Sequence, residues 1–183
     1  MDGLLHEAGD IVRWVPGNHD DPGLMESASS NGFKAATHDG WRIVTLDTRW
    51  PGHVAGKASD SALARLHAGL DDSTTAHCVV ALHHPPRSFC AHPECQLTNG
   101  DAVLEVLSRS TKVRAVLSGH LHRSFHFCRD DIWWIGAPST CVQADHPSHD
   151  HTGEAPAAHT MELHDDGTVS LSSVASRPVG TSR

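Results

Sequence analysis

An α/β domain built on a mixed sheet, or on two packed sheets, is predicted by three features of this chain. Short apolar or β-branched runs alternate with segments of helical spacing across residues 11–117. The remainder reads as antiparallel hairpins around polar turns. At 183 residues and 38% hydrophobic, the chain has the size and apolar content of one domain with a real core, so residues 1–183 are read as a single unit.

The elements follow in order. Residues 11–15 are short and β-branched and stop at Pro16-Gly17, which predicts a strand running into a tight loop. Asp20-Asp21-Pro22 then offers a helix N-cap followed by a proline at the first helical position, with the helix reaching about Ser29. Residues 41–47 (WRIVTLD) form the next strand. A Gly/Pro-rich loop over 50–56 precedes an amphipathic helix capped near Ser59, with Leu63, Leu66 and Leu70 at helical spacing. Residues 78–82 are a continuous apolar strand ending in His83-His84-Pro85-Pro86. Residues 101–108 form a second helix, and residues 113–117 a strand ending in Gly119-His120-Leu121-His122. Two hairpins follow: 124–128 with 132–135 around Arg-Asp-Asp, and 160–163 with 169–174 around Asp165-Asp166-Gly167.

Composition narrows the function. The formal charge of −8 offers nucleic-acid phosphates no general attraction, so a nucleic-acid partner is disfavoured, whereas a small nucleotide is not. Neither a secretory leader nor an apolar run of membrane-spanning length is visible, so a cytoplasmic protein without a membrane partner is expected. Five cysteines without a CxxC pair predict reduced thiols, with Cys90 and Cys95, at either end of a short loop, the one pair placed to be redox-sensitive. Histidine is the unusual count, 17 residues in a chain without tyrosine.

Position decides which histidines matter. The strands ending at Val15, Leu82 and Leu117 each lead within a few residues to histidine, with Asn18 beside the first. In open α/β sheets the functional crevice lies outside the carboxyl ends of the strands, so the three tips can converge. A single histidine at a strand end is ordinarily a hydrogen-bonded surface residue; three strand ends sharing the feature point to a site. On an extended segment His120 and His122 project to one side. His83 and His84 project oppositely, so one is a ligand and the other a substrate or packing residue. The Asn18 side-chain oxygen suits a borderline or hard divalent ion. The run from Asp145 to His151 is read as solvated loop, and Trp133-Trp134 as strand packing.

Gly17-Asn18-His19-Asp20, His83-His84-Pro85 and Gly119-His120-Leu121-His122, each after an apolar strand, resemble the GNHD, HxP and GHxH motifs of the calcineurin-like metallophosphoesterases. Leu46-Asp47-Thr48 with Pro51-Gly52 and Gly56 is similar to the class III cyclic-nucleotide phosphodiesterases within that superfamily. The resemblance implies two packed mixed sheets flanked by helices in a four-layer fold. It implies hydrolysis of a small phosphodiester or cyclic nucleotide with two divalent ions of Mn, Fe or Zn type. Carried over, Asn18, His83 and His120 bind one metal and His122 the other; His19 stands at the phosphate or leaving group, and Asp20 orients it.

The family's two earlier motifs, Asp-x-His and Gly-Asp, are absent from these residues. Gly9-Asp10 lies too close to Asn18 to leave room for the crossover that parallel strands need. The expectation is therefore an N-terminally truncated metallophosphoesterase domain lacking a strand–helix–strand unit. One tightly held ion and unpaired strand edges that favour a homo-oligomer follow from it. The alternative is a catalytically impaired metal- or nucleotide-binding form that needs a missing segment or a partner chain.

Overall fold

The computed structural model describes residues 12–21, 23–25, 34–87, 92–145 and 150–175. Its centre is a six-stranded sheet of β1 (Ala36–His38), β2 (Trp41–Leu46), β3 (His77–Leu82), β4 (Val113–Ser118), β5 (Phe125–Arg129) and β6 (Ile132–Gly136), in the order β1-β2-β3-β4-β6-β5. The run β2-β3-β4-β6 is parallel, and the edge strands β1 and β5 are antiparallel to their neighbours. Helix α1 (Asp60–Leu70) crosses from β2 to β3 and α2 (Gly100–Ser108) from β3 to β4.

Each element follows from its residues. Central β3 is apolar from Cys78 to Leu82 because both its faces are covered; Cys78, Val79, Val80 and Leu82 are all buried. Helix α1 starts where Ser59 Oγ accepts the Ala62 N–H at 3.2 Å, and it buries Ala62, Leu66 and Leu70. That face packs with Val103 and Leu107 of α2 against Val44, Val80, Leu82 and Val116, forming the main core. On the opposite face the hairpin β9 (Ala157–Leu163) with β10 (Val169–Ala175) lays Met161, Leu163, Val169 and Leu171 over Trp41, Val79, Ala115 and Ile135. Among the described residues there are thus a helix layer, a mixed sheet and a second, two-stranded antiparallel sheet: the α/β class and the second sheet are as predicted, while three of the four expected layers are seen. Trp134 joins the helix-side core and Trp133 the hairpin side, as expected for adjacent strand residues.

Three expectations change, and a fourth, a helix, is seen in its described part. Residues 12–17 carry no regular structure, so the strand predicted over 11–15 is not formed in its described part. A strand exists through its ladder, and among the described residues none pairs with this segment. The helix predicted through Ser29 is seen over 23–25, where Asp21 Oδ1 caps Gly23 N at 2.8 Å and Leu24 N at 3.2 Å; residues 22 and 26–33 lie outside the described set. The run read as solvated loop holds a short ladder of β7 (Ala144–Asp145) and β8 (Asp150–His151), too brief for periodicity to reveal, while 146–149 lie outside the described residues. Cys78, Cys128 and Cys141 are free thiols as expected, but Cys95 is disulfide-bonded; Cys90 lies outside the described residues.

Candidate metal centre

The carboxyl ends of β3 and β4 lie side by side, with Leu82 in register with Ser118, so the segments that follow emerge together. Gly119 N donates to His83 O at 3.0 Å, which ties the two exits to each other. The loop after Pro16 closes on the same place. A Cβ at Gly17 would lie 2.8 Å from His83 Cε1, so the backbone of the Gly17-Asn18 turn touches the imidazole where a side chain cannot fit. Asn18 Oδ1 and His83 Nε2 meet at 3.1 Å. Ring centroids separate His83 from His120 by 5.1 Å and His84 from His120 by 4.5 Å.

These imidazoles differ in what their nitrogens do. His84 is completely buried; its Nδ1 contacts Thr48 Oγ1 at 2.8 Å and its Nε2 donates to Val54 O at 3.0 Å. With both nitrogens engaged it is the packing member of the His83-His84 pair. His120 Nε2 lies 2.7 Å from the Glu94 carbonyl, which only accepts, so this nitrogen carries the proton and Nδ1 holds the ring's lone pair. A carbonyl on the far nitrogen is the usual support of a metal-ligating histidine. Potential ligand atoms of His83, His84 and His120 all lie within 4.8 Å of one another. A nitrogen-rich set with an amide oxygen beside it fits a borderline divalent ion.

The electrostatics agree. Burial pushes the His83 imidazole down to about 3, and neighbouring His84, His120, His122 and His19 add to the effect. Burial, then His120, pushes His84 down to about 4. Both rings are neutral at physiological pH, the state in which imidazole can donate a lone pair.

Of the six predicted site residues, Asn18, His83 and His120 are brought into one cluster. His19 and His122 are exposed at its margin, close enough for their charge to be felt at His83. Asp20 Oδ2 accepts the Gly17 N–H at 2.8 Å, closing the turn that carries His19. The reasoning that placed His120 and His122 on an extended segment does not hold, since both are left-handed, with φ of 66° and 50°. Their intervening Leu121 is buried and anchors the loop. Sequence reasoning did not assign Thr48, the Val54 carbonyl or the Glu94 carbonyl. All three meet their histidines across 26 or more positions, where spacing carries no signal.

The calcineurin-like phosphoesterase family matches residues 3–124, more than half of the chain. A 3',5'-cyclic adenosine monophosphate phosphodiesterase, CpdA, of Pseudomonas aeruginosa is 32% identical over 165 residues, covering 86% of this chain and 61% of that protein. Its Escherichia coli K12 counterpart is 31% identical, covering 85% and 60%. A 3',5'-cyclic-nucleotide phosphodiesterase of Nostoc is 30% identical, covering 85% and 61%. The chain thus spans about three fifths of the length of these curated relatives. The crystal structure of a dimetal phosphatase from Danio rerio shares the fold, with a TM-score of 0.58 at 18% identity, over 69% of this chain and 60% of that one. The motif order read from the sequence, the clustering of their ligand-type side chains and the extent of the family match agree, and the chain belongs to the calcineurin-like phosphoesterase family.

Proposed function

We propose that this protein is a metal-dependent phosphodiesterase whose substrates are 3',5'-cyclic nucleotides. The observation that carries the reading is the meeting of Asn18, His83 and His120 beyond the ends of β3 and β4. The names of the relatives supply the substrate class. Asn18, His83 and His120 hold one divalent ion, with His122 directed to a second. When bound, such ions polarise the phosphoryl oxygens and stabilise the charge that develops on them.

The remaining work falls to the chain. His19, exposed on the turn next to Asn18, donates a proton to the departing alkoxide. Asp20, fixed on the Gly17 N–H, holds the turn that presents it. Arg49, paired with Asp47 at 2.6 Å and within electrostatic reach of Asp20 and Asp21, ties the loop after β2 to the same rim.

A second reading is favoured by one observation: these 183 residues contain no Asp-x-His motif and no Gly-Asp at workable spacing, the two motifs that the family resemblance would have supply carboxylate ligands. On that reading the chain binds metal or nucleotide without turnover. Assay with Mn²⁺ on 3',5'-cyclic AMP and on bis-p-nitrophenyl phosphate separates the two. Under the first reading His19→Ala lowers kcat/KM for the cyclic nucleotide by about 10²–10⁴-fold while sparing the activated diester, whose leaving group needs no proton. Equal losses on both substrates reject the acid role of His19. Binding without hydrolysis of either supports the second reading.

A further inference from the structure

The loop that packs on His84 presents an aromatic surface. Residues 48–57 follow β2 and close on themselves where Lys57 N donates to Thr48 O at 2.9 Å. Thr48 Oγ1 and the Val54 carbonyl both meet the His84 ring, so the loop is fixed on one imidazole at two points. Between them Trp50-Pro51-Gly52-His53 forms a type II turn: His53 N donates to Trp50 O at 2.9 Å, and Gly52 takes the φ of 79° that the third position requires. Across this turn the Trp50 and His53 rings stack, with centroids 3.5 Å apart and planes 7° from parallel. His53 Nδ1 donates to Pro51 O at 3.1 Å, which sets the orientation of the imidazole. Lys57 Nζ stands 5.4 Å from the Trp50 ring centroid, a cation–π contact that steadies the indole. Trp50 is half-buried and His53 is exposed, so the imidazole rests one face on the indole and turns the other to solvent.

This surface belongs to the rim of the candidate site. His84, which anchors the loop, lies 4.5 Å from His120 between ring centroids. Arg49, the neighbour of Trp50, is within electrostatic reach of Asp20 and Asp21, on the turn that carries Asn18 and His19. We infer that the Trp50–His53 stack is a nucleobase platform: a nucleoside phosphate held at the Asn18, His83 and His120 cluster lays its base on the open face of His53. The inference rests on the reading of that cluster as a phosphate site and is independent of turnover. Every base has a π-face, so the platform favours nucleotides over base-free phosphates and discriminates little among bases. The formal charge of −8 favours a free nucleotide over a nucleic-acid strand. Because the turn and both rings are already fixed, little ordering has to accompany binding.

The test measures binding. Adenosine 5'-monophosphate and ribose 5-phosphate share the phosphate and differ in the base; each is titrated calorimetrically into the full chain with Mn²⁺ present. The wild-type chain should bind the nucleotide about 5–100-fold more tightly, the range that base–aromatic stacking ordinarily contributes. Trp50→Ala with His53→Ala, which together remove both rings, should abolish that preference and leave ribose 5-phosphate affinity unchanged, whereas His53→Phe should keep it. If the double variant does not fold, ¹H NMR of the wild-type chain decides: the nucleotide, unlike the sugar phosphate, should shift the His53 ring protons upfield. Equal affinity of the wild type for the two ligands, or a preference that survives loss of both rings, would overturn the inference while leaving the phosphate site intact. Parallel loss of ribose 5-phosphate binding in the double variant would assign the turn to holding the cluster and overturn the platform. Binding of neither ligand would remove the phosphate-site reading and the inference with it.

Discussion

His83 and His84 show how much two neighbouring side chains of one type can differ. The alternation of a strand sends them opposite ways, which was legible in the sequence; which one packs and which one faces the site was not. The answer came from Thr48 and Val54, which fill both ring nitrogens of His84 from positions distant in the chain. His84→Ala should therefore act on stability. It removes a fully buried ring, and with it the ring partners of the Thr48 O–H and the Val54 carbonyl, at a cost of about 3 kcal/mol. A lowered urea midpoint with unchanged m-value is the expected result, and His83→Ala, which removes a less buried ring, should shift it less. A greater loss from His83→Ala would reverse the assignment of the two rings.

Among the elements, those with a clear pattern were legible: β3 from its continuous apolar run, β2 and β4 from largely apolar, β-branched runs, α1 and α2 from leucine and valine spacing. What escaped was short or depended on a partner. Strand β1 is three residues long, yet Asp39-Gly40, both at positive φ, is the dipeptide signal of a two-residue hairpin and was open to reading. The segment before Pro16 has strand composition without a described neighbour to pair with, and composition alone does not make a ladder. Glycine at the start of α2 has a purely geometric cause. A Cβ at Gly100 would lie 1.7 Å from the Pro86 carbonyl oxygen, a backbone atom that cannot turn aside. Gly100→Ala should cost more than about 3 kcal/mol, whereas Ser59→Ala, which removes one cap bond from α1, should cost about 1 kcal/mol. Chemical denaturation of both variants checks the ranking, and a near-neutral Gly100→Ala would show that the α2 start can shift away from Pro86.

For the whole molecule, the neutral histidines couple the site to stability. His83 and His84 sit at about 3 and about 4 when folded, against an ordinary 6.5, so between these limits the unfolded chain binds more protons than the folded one. Stability of the metal-free chain is complete above about pH 6.5 and falls as the pH drops toward 4. Asp72 and Asp166, both held low by hydrogen bonds from threonine neighbours, extend the loss below the usual carboxylate range. Urea midpoints from pH 4.5 to 7.5 should rise and then level off; a flat profile would mean that the two rings take up protons in place. The most direct test of the account is metal content. If Asn18, His83 and His120 form one site in these 183 residues, the purified chain loaded with Mn²⁺ or Zn²⁺ and desalted should retain one ion per chain. His120→Ala should retain none, and His151→Ala should retain one. Two ions retained by the wild-type chain, or an ion that survives His120→Ala, would contradict it.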